Sequence, residues 1–179
     1  MATLDDRGDE LKRVVVTGSE CTGKTKLAEA LAQRRGVICI PEYARQFVRE
    51  KGAAPDRADV EAIARGQISL EEQAEREGHA LVIQDTDLLS TVVYSRHYYG
   101  DCPPWIQEKL ARGTPELYLL AGIEVPWTAD GHQRDRGHMR EEMQTLFRHA
   151  LVEFEARFVE VNGPLETRLR DALGALDSL

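Results

Sequence analysis

An α/β fold, with a parallel sheet covered by helices on both faces, is predicted by two features of this sequence. Short apolar runs alternate with longer segments of helical period, the pattern of strands separated by crossover helices. The length of 179 residues suits one unit with a sizeable core, because single domains run to roughly 100–200 residues.

The elements follow in chain order. Residues 1–12 are polar and acidic and read as a frayed tail, leaving residues 13–179 as a single domain. Arg13 to Thr17 forms the first strand, rich in valine, and Lys24 to Arg34 the first helix, with Leu27, Ala30 and Leu31 on one face. Val37 to Ile40 and Ala80 to Gln84 supply the second and third strands, and a helix begins near Leu88. Gly100-Asp101-Cys102-Pro103-Pro104 must break a helix. Leu117 to Ala121 is the fourth strand, and Thr128 to His138, polar and punctuated by glycine, reads as a mobile loop. From Met139 to Phe158 the apolar residues Met139, Met143, Leu146, Phe147, Ala150, Leu151 and Phe154 keep helical spacing, and Phe158 to Val161 is the last strand. The turn Asn162-Gly163-Pro164 opens a closing helix with Leu165, Leu169, Ala172, Leu173 and Leu176 at helical spacing. No internal repeat or low-complexity tract interrupts this order.

Charge and composition exclude several classes. The formal net charge of −8 argues against nucleic acid as a partner. No apolar run approaches the ~18 residues of a membrane span, and no apolar segment of a secretory signal precedes the first strand. Cys21, Cys39 and Cys102 form no Cys-x-x-Cys pair, so neither a disulfide framework nor a structural zinc site is suggested, and a reducing cytoplasm is the expected location.

The chemistry begins directly after the first strand. Gly18-Ser19-Glu20-Cys21-Thr22-Gly23-Lys24-Thr25 is a complete Gly-x-x-x-x-Gly-Lys-Thr phosphate loop leading into a helix, with Lys26 the next residue of the nucleotide-binding segment. The glycines allow the backbone to curl so that its N–H groups face phosphate oxygens, aided by the positive end of the helix. Lys24 would reach the β- and γ-phosphates of ATP, and the Thr25 hydroxyl would ligate Mg²⁺. A carboxylate at the end of a neighbouring buried strand completes such a metal site, and Asp85 after Leu81-Val82-Ile83-Gln84 is the candidate. Asp87, two residues on, either faces the metal and the reacting hydroxyl or caps the helix beginning near Leu88.

Among phosphate-loop proteins, a switch GTPase reads guanine with Asn-Lys-x-Asp, but Asn162 is the only asparagine here and precedes Gly163. An AAA+ motor needs an additional helical domain, for which the chain after the loop leaves little space. A small-molecule kinase of the nucleoside and nucleotide kinase type fits best: a five-stranded parallel sheet, helices on both faces and a lid loop. Such a kinase needs a carboxylate at the acceptor hydroxyl and arginines that neutralise charge in transfer. Glu42, just past the second strand, can hold or deprotonate the hydroxyl, or serve as a carboxylate favouring a helix N-terminus with Arg45 as its neighbour. Arg134 and Arg136, with His132 and His138 nearby, either close over the phosphates or form a solvated charge cluster; guanidinium geometry suits phosphate better than imidazole.

In order and approximate spacing, Gly18 to Thr25, Glu42-Tyr43-Ala44-Arg45, Asp85-Thr86-Asp87 and Pro126-Trp127-Thr128-Ala129-Asp130-Gly131 resemble the nicotinamide riboside kinase domain of the NadR-type NAD-biosynthesis proteins. The resemblance covers nearly the whole chain. It implies ATP- and Mg²⁺-dependent phosphorylation of the 5′-hydroxyl of nicotinamide riboside, giving nicotinamide mononucleotide. By matching position, Glu42, Tyr43 and Arg45 would line the riboside site, Asp85 and Asp87 the metal and hydroxyl region, and Trp127 with Asp130 the mouth of the lid. Trp127 could stack on the cationic pyridinium, or simply pack against Pro126; Trp105, beside two prolines, reads as a packing residue. In members of that family an aromatic residue precedes the Glu-Tyr pair, whereas here Pro41 does, so half of a sandwich around the nicotinamide ring is missing. Only 17 residues precede Gly18, so the expected activity is that of the kinase domain alone. A kinase for another (deoxy)nucleoside and an ATP-binding regulatory module without phosphotransfer are the alternatives, and a homodimer is compatible with the sequence.

Overall fold

The computed structural model describes residues 11–125 and 139–179. Five strands, β1 (Lys12–Thr17), β2 (Ile38–Ile40), β3 (Leu81–Asp85), β4 (Leu117–Ala121) and β5 (Phe158–Val161), form one sheet in the order β2-β3-β1-β4-β5. Every neighbouring pair is parallel, so each connection is a crossover through helices. These are α1 (Lys24–Arg35), α2 (Tyr43–Lys51), α3 (Val60–Arg76), α4 (Leu88–Tyr99), α5 (Pro104–Arg112), α6 (Arg140–Glu153) and α7 (Leu165–Leu176).

The pleat of β1 sorts the core into two layers. Val14 and Val16 point to one face, where they meet Leu27, Ala28 and Leu31 of α1 and Leu169, Ala172 and Leu176 of α7. Val15 points to the other and joins Val92 of α4, Ile106 of α5 and Phe147 of α6. Alternation along a strand buried on both faces explains why β1 reads as an unbroken apolar run.

β1 is the switch point of the sheet: the chain passes first to β2 at one edge, returns to β3 beside β1, and then crosses to β4 and β5 on the other side. Ligands of open parallel sheets bind beyond the carboxyl ends of the strands at such a point, which is where the segment after Thr17 emerges.

The expected strands are all present, with ends shifted by a residue at β1, β2 and β3. Two expectations need correction. The helical period from Met139 runs on to Phe158, but the helix stops at Glu153: Phe154 caps it and Glu155 turns the chain at φ 51° so that β5 can begin. Between β2 and β3, where one reading of Glu42 is a helix N-terminus, the chain forms α2 directly after Glu42 and then α3, for which the sequence analysis names no element. α2 buries none of its residues, and α3 buries Val60, Ala64, Gln67 and Ala74, which lie along one helical face. The polar, glycine-punctuated stretch expected as a loop, Thr128 to His138, lies outside the described residues, as does the tail before Leu11.

Candidate active site

The phosphate loop spans β1 and α1, and its backbone departs from ordinary L-residue geometry at three points. Gly18, Cys21 and Gly23 take φ of 127°, 53° and 77°, the alternation that turns successive N–H groups inward. A Cβ at Gly18 would stand 3.0 Å from the Ala121 carbonyl oxygen, so close approach of β4 also demands glycine there. Within the loop, the Ser19 carbonyl accepts from Thr22 Oγ1 at 2.9 Å and from Lys24 Nζ at 2.7 Å. Lys24 is buried, and burial is the main force lowering its pKa; Glu42, Asp85 and Glu20 act in the opposite direction.

Loop and metal candidates meet as expected. Thr25 Oγ1 donates to Asp85 Oδ2 at 2.5 Å, while Asp85 Oδ1 is buried with no hydrogen-bond partner among the described residues. A hydroxyl and a carboxylate with an oxygen to spare suit Mg²⁺, which commonly takes one or two protein oxygens and completes its shell with phosphates and waters. Among the described residues no group of three or more His, Cys, Asp or Glu side chains could form an all-protein cage.

Asp87 is both a helix cap and a cavity residue. Its Oδ1 accepts from the Leu89 N–H at 3.0 Å, and its Oδ2 accepts from the Tyr118 hydroxyl at 2.6 Å. Burial pushes its pKa up to about 7, the Tyr118 hydrogen bond opposes that rise, and the nearby Glu71 adds to it. The Tyr118 hydroxyl is itself pushed well above its ordinary range, by burial first and then by Asp87. A carboxyl near 7 in the folded chain and about 3.9 in the unfolded one binds its proton more tightly when folded. Folding stability then falls as pH rises from about 4 to 7, and stays low above. Asp87→Asn removes the penalty while keeping the cap, since the amide oxygen can accept from Leu89 and the NH₂ can donate to Tyr118. In magnesium-free buffer the variant is expected to melt above wild type at pH 8, by an increment on the order of 4 kcal/mol, and to show no gain at pH 4. An equal or lower midpoint at pH 8 would contradict this.

Beside the loop, between α2, α3 and α4, lies a cavity of about 340 Å³. Glu20, Lys24, Glu42, Arg45 and Asp87 border it, so the charged groups identified in the sequence converge on one space. Glu42 stands at the start of α2, where its Oε2 accepts from Arg45 Nε at 2.6 Å. Tyr94, Tyr98 and Tyr99 of α4 and Arg49 of α2 line the same cavity. Tyr94 and Tyr98, one helical turn apart, stack with ring centroids 6.1 Å apart and planes 10° from parallel. No sequence motif marks Tyr98, Tyr99 or Tyr118; the signal available is the aromatic pair Tyr94 and Tyr98, four positions apart on a helix opening with Asp87.

Tyr43 is placed elsewhere. It does not border the cavity, and its ring lies so close to α3 that a Cβ at Gly66 would stand 2.0 Å from it. Its backbone N–H donates to Gln67 Oε1 at 2.9 Å, so Tyr43 joins α2 to α3. Lys26 is exposed on α1. Trp105 packs against the core, with the Arg65 guanidinium 4.6 Å over its ring. Pro126, Trp127, Asp130, His132, Arg134, Arg136 and His138 lie outside the described residues.

Two further side chains brace the loop. Gln144 of α6 donates to the Ala121 carbonyl at 3.0 Å and accepts from the Ser19 N–H at 3.4 Å. Arg168 of α7, 2% exposed, donates to the Thr22 carbonyl at 2.5 Å. Neither was singled out from sequence, although Arg168 interrupts the apolar stripe of α7.

A phosphate loop after the central strand of this sheet, with a cavity opening beside its lysine, defines a P-loop kinase-like α/β fold. Residues 13–168 match the AAA domain family AAA_28, and the chain belongs to that family. The described residues of the match form the single sheet and its adjoining helices, with no additional helical domain among them. The chain is 28% identical over 157 residues to the trifunctional NAD biosynthesis/regulator protein NadR of Escherichia coli K12, covering 84% of this chain and 38% of that protein. It therefore spans well under half the length of the curated relatives it matches. A solved structure of NadR in complex with NR is similar with a TM-score of 0.77 at 25% identity, over 93% of this chain and 51% of that one. Thymidylate kinase from Ehrlichia chaffeensis shares the fold, with a TM-score of 0.68 at 13% identity over 93% of this chain and 98% of that one. No described helix is long and apolar enough to cross a membrane.

Proposed function

We propose that residues 13–179 act as a kinase unit that transfers the γ-phosphoryl group of ATP, with Mg²⁺, to the 5′-hydroxyl of a nucleoside-like acceptor. Nicotinamide riboside, giving nicotinamide mononucleotide, is the acceptor we favour. The reading is carried by the cavity that joins Lys24 to Asp87, Glu42 and the tyrosines of α4. Its lining offers a lysine for donor phosphates, carboxylates for a hydroxyl and flat rings for a base.

The loop N–H groups and Lys24 bind the phosphates, and the Lys24 ammonium offsets the charge that develops on the transferred group. Thr25 and Asp85 would hold Mg²⁺, which when bound neutralises charge on the β- and γ-phosphates. The acceptor hydroxyl is oriented by Glu42 or Asp87, either of which can take its proton as the new O–P bond forms. Arg45 keeps the Glu42 carboxylate in place through their 2.6 Å contact. Arg134 and Arg136 are proposed to offset charge from the lid, and Trp127 and Asp130 to border its mouth. The rings of Tyr94, Tyr98 and Tyr99 supply aromatic surface for the acceptor base.

The test is ADP formation with Mg²⁺ and ATP against nicotinamide riboside, the common ribo- and deoxynucleosides, and no acceptor, with mass detection of product. Nicotinamide mononucleotide well above background is expected. Phosphorylation of another nucleoside alone would replace the substrate, and background with every acceptor would overturn kinase activity in favour of a nucleotide-binding module.

A further inference from the structure

We propose that Arg168, seconded by Arg140, is a positioning residue that orients the peptide units of the phosphate loop toward the donor phosphates. The inference rests on the nucleotide-binding reading of that loop.

Arg168 spends a buried guanidinium almost entirely on backbone. Nη1 donates to the Thr22 carbonyl at 2.5 Å, Nη2 to the Gly122 carbonyl at 3.1 Å and Nε to the Gly163 carbonyl at 2.7 Å. The carboxylate of the exposed Glu124 stands 3.7 Å from Nη2, beyond hydrogen-bonding distance. Burying a charge is costly, and three carbonyls on three separate loops are an unusual set of partners for it. They belong to the phosphate loop, the segment leaving β4 and the segment leaving β5, so one side chain clamps the carboxyl edge of the sheet around the loop. Arg140, at the start of α6, donates to the Val125 carbonyl at 2.8 Å and to the Cys21 carbonyl at 3.4 Å.

Peptide planarity turns these contacts into a directional device. A trans peptide holds its C=O and the following N–H antiparallel. With the Thr22 carbonyl drawn toward Arg168, the Gly23 N–H must point the opposite way, and the same holds for the Cys21 carbonyl and the Thr22 N–H. Inside the loop, Lys24 and Thr22 hold the Ser19 carbonyl and so direct the Glu20 N–H. Three peptide units are therefore fixed by their carbonyls, two of them from outside the loop. Gly23, with φ of 77°, has no side chain to restrict the unit, so the bond from Arg168 to the Thr22 carbonyl adds a restraint that the residue itself lacks.

A merely structural arginine would move the melting temperature and leave ligand affinity alone. The experiment compares wild type, Arg168→Lys, Arg168→Met and Arg140→Met by calorimetric titration with ADP, thermal melting and acceptor KM. Arg168→Met is expected to raise the Kd for ADP about tenfold or more, Arg168→Lys less, with acceptor KM within about twofold of wild type. An Arg168→Met protein that melts cooperatively and binds ADP like wild type would overturn the proposal. Should neither Arg168 variant fold, Arg140→Met decides: weaker ADP binding supports loop orientation through the carbonyls, and wild-type affinity overturns it. A wild-type chain that binds no ADP would remove the nucleotide reading itself, and this inference with it.

Discussion

Replacing Lys24 with alanine is expected to lower kcat/KM by about 10³-fold or more while the protein stays folded. Lys24 is a buried cation facing the cavity, bordered by Glu42 and Asp85, with the Ser19 carbonyl 2.7 Å from its Nζ. Its charge cannot be replaced by solvent, because the group is almost inaccessible, nor by Arg45, already committed to Glu42. Removal leaves no buried charge behind on the lysine itself, and the Thr22 hydroxyl still holds the Ser19 carbonyl. The loss should therefore fall on the chemical step and not on folding. Rapid-quench measurement of a single turnover, alongside circular dichroism of the same sample, checks both halves. Full turnover in a folded variant would remove the loop from the mechanism.

Phe147→Ala should cost about 3–5 kcal/mol and lower the melting midpoint by about 10 °C. Phe147 is fully buried on α6 among Val15, Val92, Leu120 and Met143, so no rearrangement of solvent can refill the space. It also meets Tyr94 edge to face, with centroids 5.7 Å apart and planes at 78°. Tyr94 borders the cavity beside Lys24 in which we propose the acceptor sits. Loss of the ring behind it should raise acceptor KM more than ATP KM at temperatures where the variant remains folded. Equal changes in both constants, or a midpoint within about 2 °C of wild type, would count against this account of the packing.

The sheet and the phosphate loop were legible because both are local patterns. A parallel strand buried on two faces must be continuously apolar, as Val14-Val15-Val16 and Leu117 to Ala121 are, and the loop needs glycine where φ is positive and lysine and threonine at fixed offsets. The acceptor side was only half legible. Glu42 and Asp87 announce themselves by standing just past strand ends, but the extent of α2 and the presence of α3 do not, because α2 buries no residue and α3 only Val60, Ala64, Gln67 and Ala74. Tyr43 was assigned to the substrate from its neighbours in the motif, although a ring wedged on Gly66 serves to seat α2 against α3.

The amino-acid sequence by itself therefore determined the fold class, the donor loop and the carboxylates at the strand ends, each dictated by short-range geometry. The tertiary structure alone decided that the Tyr118 hydroxyl holds the second oxygen of Asp87, and that three tyrosines line the cavity beside the loop. It also decided that an arginine near the C-terminus reaches the phosphate loop. The longest of those contacts joins residues 146 positions apart, and only the packing of helices onto the sheet brings them within hydrogen-bonding distance.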